Sequence, residues 1–207
     1  MKYLLIALCI LFSIPTSAQI SVGGINLSNN KSQVYTITTK KGNTYKTKKY
    51  GMKTALKFKE IKFKTMDGEK KTIALSQIDE IVSTGKKDRH NFTEKYIKYS
   101  KTKSDLMTEV VKGKVSLYQR SQVTYNGNSG SSFNTSTTNT NVNYYVIKEG
   151  QTIAKYIKGN NVAYGRFKAN AIKFFSDCES LVAKLKKNKY KRKHLVEIVT
   201  YYNENCN

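Results

Sequence analysis

The chain has 207 residues, with 37 lysines and arginines against 14 aspartates and glutamates, a formal net charge of +23 and a mean hydropathy of −0.55. That length suits one domain with an ordinary hydrophobic core, and the charge excess makes polyanions the natural attractants. Two histidines and three cysteines give no support to a zinc site, which takes three or four nitrogen and sulfur ligands, and no run of apolar residues reaches the roughly 20 needed to span a bilayer.

The first eighteen residues read as a secretory signal. Lys2 supplies the positive start, Leu4 to Phe12 form a short apolar run, Pro15 breaks it, and Thr16-Ser17-Ala18 offers small side chains before Gln19. The pattern predicts a signal peptide over residues 1–18 and an exported mature chain, periplasmic, outer-membrane-associated or extracellular. Cys9 follows Leu8 rather than a small residue, which argues against lipid anchoring. Export removes nucleic acid from the expected partners. It also makes a disulfide the expected state of the two remaining cysteines, Cys178 and Cys206.

Residues 19–33 are polar and Gly/Asn/Ser-rich, a flexible leader to a β-rich domain over 34–160. Val34–Thr38 is a strand, Lys41-Gly42-Asn43 a turn, and Thr44–Tyr50 the returning strand, closed by Gly51. Leu56-Lys57-Phe58-Lys59 and Ile61-Lys62-Phe63-Lys64 alternate one residue out of phase. A β-bulge near Glu60 would restore the register and place Lys57, Lys59, Lys62 and Lys64 on one wet face. Met66-Asp67-Gly68-Glu69 turns the chain, and Thr72–Leu75 and Ile78–Val82 continue the meander. A polar loop is expected over 84–94 and strands over 95–99 and 113–124, with 105–111 open between helix and strand. Residues 126–143, almost wholly Asn, Gly, Ser and Thr, predict a long mobile loop. A last hairpin turns at Glu149-Gly150.

Beyond residue 160 the period changes. Phe167, Ala171, Phe174, Cys178, Leu181 and Leu185 make one helical stripe, and Leu195, Ile198, Val199, Tyr202 and Cys206 make another. An antiparallel helical hairpin over 161–207, folded near Lys189 and packed on the sheet, brings Cys178 and Cys206 together. Such a bridge stabilises the fold by about 3.5 kcal/mol in the chain-entropy model. The fold class expected is therefore α+β: a mainly antiparallel sheet, a sandwich- or barrel-like meander, followed by the hairpin.

No Gly-Xaa-Ser-Xaa-Gly elbow or glycine-rich phosphate loop occurs, so no catalytic residue, metal site or cofactor is assigned. His90, in a solvated loop, and the acidic pairs Asp79/Glu80 and Asp177/Glu179 are the groups a hydrolase would have to use. Two basic clusters are the candidates for contact with an anionic surface: residues 40–71, with twelve lysines including Lys57, Lys59, Lys62 and Lys64, and the hairpin tip Lys184–Lys193, with Lys184, Lys187, Lys191, Arg192 and Lys193. Only four of the 37 basic residues are arginine, whereas surfaces built to grip phosphate or carboxylate favour the two-pronged guanidinium. The lysine excess thus reads both as a solubilising surface and as a polyanion contact.

The strand Gly113-Lys114-Val115-Ser116-Leu117-Tyr118, the segment Phe174-Phe175-Ser176-Asp177-Cys178 and the end Val196-Glu197-Ile198-Val199-Thr200-Tyr201-Tyr202-Asn203 together resemble a family of uncharacterised secreted proteins of Bacteroidetes-type bacteria. The resemblance implies a cell-envelope location and transfers no catalytic residues. The expected function is a non-enzymatic envelope protein in a binding or accessory role, its partner an envelope protein, anionic lipid or acidic glycan; the alternative is a secreted hydrolase of envelope polymers.

Overall fold

The computed structural model describes residues 33–55, 58–87, 90–126, 137–159 and 164–206. The signal segment, residues 19–32 of the leader, and Lys57 lie outside them. Ten strands follow in chain order: β1 (Val34–Thr39), β2 (Thr44–Ala55), β3 (Phe58–Thr65), β4 (Lys70–Ala74), β5 (Ile78–Thr84), β6 (Phe92–Lys98), β7 (Ser104–Val111), β8 (Val115–Asn126), β9 (Thr137–Lys148) and β10 (Lys155–Gly159). They form one sheet in the order β10-β9-β8-β7-β6-β5-β1-β2-β3-β4, every neighbouring pair antiparallel. Three helices end the chain: α1 (Tyr164–Phe174), α2 (Glu179–Lys186) and α3 (Leu195–Asn205). The fold is α+β.

The turns are where the glycines put them. Gly42, Gly68 and Gly150 carry φ of 83°, 99° and 78°, a region open to glycine at no steric cost. The first two close hydrogen bonds back to Thr39 and Thr65.

The first five strands curl. Strand β4 joins β5 through one 3-10 turn, Leu75–Gln77, although β5 lies on the far side of β1. Laid flat, β4 and β5 would stand about 19 Å apart at the usual strand spacing. The link from Ala74 to Ile78 reaches only about 14 Å. The sheet must therefore roll into an open barrel, and its inner face holds the core of Tyr35, Ile37, Ile61, Phe63, Leu75 and Ile81. Lys59 on β3 confirms the roll by donating to the Ser104 carbonyl of β7 at 2.9 Å.

The bulge exists, but not at Glu60. The β2–β3 register runs unbroken from Ala55↔Phe58 to Tyr50↔Phe63 and slips between Tyr50 and Thr47. The extra residue is thus in β2, at Lys48-Lys49, both exposed. The buried Thr47 hydroxyl pins the kink by donating within reach of the carbonyls of Lys49 and Lys64 (2.8 and 2.7 Å). Alternation in an unbroken β3 then puts Lys62 and Lys64 outward with Glu60, and Lys59 on the opposite face with Ile61 and Phe63. The four lysines do not share a face.

Two further expectations change. Residues 126 and 137–143 belong to β8 and β9, whose ladder runs without a slip from Val115↔Lys148 to Asn126↔Thr137; residues 127–136 lie outside the described set. Backbone ladder bonds need no apolar side chains, and the base of this hairpin is anchored by Val115, Leu117 and Val146 in the core. Gln33, placed by its sequence in the leader, is buried and donates to Ser83 Oγ at 2.6 Å.

The first helical stripe is two helices, not one. The chain leaves helix after Phe174 and re-enters at Glu179. Phe175, rather than Phe174, is wholly buried, 4.9 Å from Phe174 and 5.3 Å from Tyr202 between ring centroids. A 4-3 spacing is satisfied equally by two helices whose buried residues flank a turn, and tertiary packing decides between them. The hairpin proper is α2–α3. Cys178 at the start of α2 meets Cys206 at the end of α3 as a disulfide with Cα atoms 5.6 Å apart. This layer packs through Leu181, Leu185, Ile198 and Val199 on β8–β10.

Candidate functional site

The slip at Lys48-Lys49 opens a groove of about 660 Å3 along β2 and β3. Lys48, Lys49, Lys62 and Lys64 line it, with Thr47, Tyr50, Phe63, Thr65 and Met66, and no acidic residue is in the lining. A bulge presents two successive side chains on the same side; here both are lysines, and the β3 alternation adds two more. Lys62 lies 3.4 Å from Glu60, and Asp67, between Met66 and Gly68 at the rim, is hydrogen-bonded to the Thr65 side chain. Met66 at the rim is 55% exposed. Of the lysines singled out in the sequence, Lys62 and Lys64 belong here, Lys59 does not, and Lys57 lies outside the described residues. Lys48 and Lys49 belong to the basic stretch 40–71 but are not singled out within it by the sequence, because the slip that brings them here is fastened by Thr47, a polar residue with no hydropathy signal.

The helical tip is at the other half of the sheet and is less free than its sequence suggests. Lys187, Lys191 and Lys193 are exposed. Lys184 sits 3.6 Å from the centre of the Tyr201 ring, and Arg192 donates to the Gly159 carbonyl at the end of β10, which ties the tip to the sheet. His194 accepts the Lys191 amide on Nδ1 at 3.3 Å. Lys184 and Arg192 are thus fastened, and three of the five named cations remain available to a partner.

The groups a hydrolase would need are not assembled. His90 is buried, not solvated, at 3% exposure. Its carbonyl accepts the Ser83 hydroxyl at 2.7 Å, and its Cβ would lie 2.8 Å from any Cβ at Gly85. Asp79 and Glu80 are successive residues at a register slip of β5 against β1, where Glu80 faces Thr38 and Ile78 faces Thr39; the bulge turns both away from the core that takes Ile78 and Ile81. Asp177 accepts from Lys148 Nζ at 2.7 Å and the Tyr202 hydroxyl at 2.6 Å. Burial alone would raise its carboxyl, but those two hydrogen bonds outweigh it and hold the group below the ordinary range. A carboxylate so held is a poor general acid. Burial and the Asp177 bond push the Tyr202 hydroxyl up to about 12.

One buried acid escaped the sequence reading. Glu94 on β6 faces the barrel interior at 3% exposure and accepts the Tyr50 hydroxyl at 2.6 Å. Burial raises its carboxyl, against the lowering by Tyr50, and repulsion from Asp105 adds to the rise. A carboxyl raised on folding favours the proton in the folded state, so its stabilising share is complete below the unfolded value, about 4.3, and is lost as pH climbs through the folded one. Glu94→Gln keeps an acceptor for Tyr50 and removes the titration. It is expected to raise the urea midpoint at neutral pH while leaving the midpoint at pH 4 nearly unchanged. Equal midpoint differences at both pH values would refute this.

The segments that carry the family resemblance meet in space. Asn203 of α3 accepts the Val115 amide on Oδ1 (2.8 Å) and donates from Nδ2 to the Val115 carbonyl (2.9 Å). Lys114 Nζ reaches the Cys206 carbonyl at 3.0 Å, satisfying an orphan acceptor at the helix end. A Cβ on Gly113 would stand 2.6 Å from Asn203 Cγ. These residues dock a helix on a strand; their role is architectural.

Among the described residues no group of three or more His, Cys, Asp or Glu is placed to hold a metal ion, and no helix is long and apolar enough to cross a membrane. In comparisons with known proteins, the chain matched no protein-family model, no curated protein and no solved structure.

Proposed function

We propose that this is an exported, non-enzymatic protein of the cell envelope that holds an anionic surface, a lipid headgroup layer or an acidic glycan, in the basic groove of β2 and β3. The observation that carries the reading is the convergence of Lys48, Lys49, Lys62 and Lys64 on one open groove without an acid in its lining. Lysine is a mobile point charge rather than a planar fork, which suits a partner with distributed negative charge better than one fixed carboxylate. The exposed lysines of the helical tip add to the field around the molecule without being part of the groove. The signal-like segment of residues 1–18 and the disulfide support an oxidising, exported setting.

Co-sedimentation of the mature protein with anionic vesicles or with an acidic polysaccharide tests this. Each charge near such a surface contributes about 1 kcal/mol. Replacing Lys48, Lys49, Lys62 and Lys64 together by glutamine is therefore expected to weaken binding by roughly a thousandfold at low ionic strength, with melting unchanged. Binding that is indifferent to salt, or to the fourfold replacement, would overturn the assignment of this groove.

A further inference from the structure

The hairpin of β8 and β9 outruns its neighbours. The β7–β8 ladder ends at Thr108↔Gln119, because β7 beyond that point follows β6 into the roll of the barrel, with Leu106 in its core. Strand β8 continues for seven residues, each paired to β9, from Arg120↔Asn143 to Asn126↔Thr137. Among the described residues no strand pairs with the other edge of Ser121–Asn126. A backbone edge of this kind is a template for another strand.

The edge is also unguarded. The sheet's two terminal strands carry Lys70 and Lys71 on β4 and Lys155 and Lys158 on β10, the usual defence against edge pairing. Residues 121–143 contain no charged residue at all, in a chain of net charge +23. Neither proline nor a register slip interrupts this part of β8.

We propose that the free edge of β8, Ser121–Asn126, pairs antiparallel with the same edge of a second copy of this chain. Six residues make a strand of ordinary length. A two-fold interface needs a self-complementary patch. Serine, glutamine, threonine and asparagine side chains both donate and accept, so the strand matches itself where a charged partner strand would find no counter-charge. Along this stretch two strongly basic copies meet without opposing lysines, and a two-stranded ribbon gains stability from a third and fourth strand.

Salt separates this contact from the polyanion binding proposed above. Repulsion between two basic bodies is screened as ionic strength rises, so edge pairing strengthens with salt, whereas copies bridged by a polyanion come apart. Sedimentation velocity on the full exported chain, freed of polyanions, is expected to show a concentration-dependent dimer that tightens from low to high salt. Gln122→Glu with Thr124→Glu lowers the net positive charge, which alone would favour association. At the paired edge it instead sets like carboxylates against one another across the two strands, and at least a tenfold weaker dimer is expected with an unchanged melting curve. Amide exchange of residues 121–126 should slow on dimerisation. A monomer at every concentration in high salt, a dimer indifferent to the double substitution, or association that dissolves in salt would each overturn the proposal.

Discussion

Breaking the Cys178–Cys206 bond is expected to lower stability by about 3.5 kcal/mol, the loop-closure entropy of the 28-residue separation. In a domain of this size that corresponds to a fall of roughly 7–14 °C in melting temperature. The bond matters because of what it joins. It closes α2 against α3 at the end remote from their connecting loop, so without it the pair is held at that end by packing and by the hydrogen bonds of Tyr202 to Asp177 and Tyr201 to Ser180. Both cysteines also belong to the buried cluster with Leu181, Ile198 and Tyr202. The Cys178→Ala/Cys206→Ala variant removes the bridge without burying a hydroxyl, and its melt should coincide with that of the native chain under reductant. A change below about 1 kcal/mol would mean that the helical layer is already fixed by its docking on β8–β10. Free thiols in the denatured, unreduced protein would refute the bridge itself.

The parts of this structure that were legible in the sequence are those with a one-dimensional signal. Turns at Gly42, Gly68 and Gly150 follow from left-handed backbone that glycine adopts freely. The α2–α3 pair and its disulfide follow from apolar period and from cysteine count. The misses share a cause: the deciding interaction is long-range and polar. A slip between Thr47 and Tyr50, rather than one at Glu60, decides which lysines share a groove, and it depends on a threonine hydroxyl bonded to a neighbouring strand. The break between α1 and α2 is fastened by Asp177 to Lys148 and Tyr202, partners 29 and 25 residues away. The β8–β9 ribbon looked like a loop because its residues are polar, yet a ladder is made by backbone groups. Glu94 lies in a strand whose other inward residues are aromatic, and only the roll of the barrel makes its position an interior one.

Gly113→Ala is expected to destabilise the protein by about 3 kcal/mol, far more than a methyl group on an open strand would. The added carbon cannot coexist with the Asn203 amide, which is held in place by two hydrogen bonds to the Val115 backbone. Asn203 must withdraw, and the Val115 N–H and C=O at the start of β8 lose their partners; each partly buried group left unpaired costs about 1–3 kcal/mol. Asn203→Ala removes the same bonds directly and should cost a comparable amount. The two substitutions act on one interaction, so their effects cannot add. In the double variant the alanine at 113 meets only the stub of residue 203, and its stability should match that of Asn203→Ala alone, a coupling of about 3 kcal/mol. Urea midpoints of the four proteins measure this cycle. Additive losses would show that the glycine is required for backbone freedom rather than for the passage of the asparagine. The coupled outcome explains why a glycine near the middle of the chain and an asparagine near its end stand out together: both belong to one contact between α3 and the start of β8, beside the lysine that holds the Cys206 carbonyl just past α3.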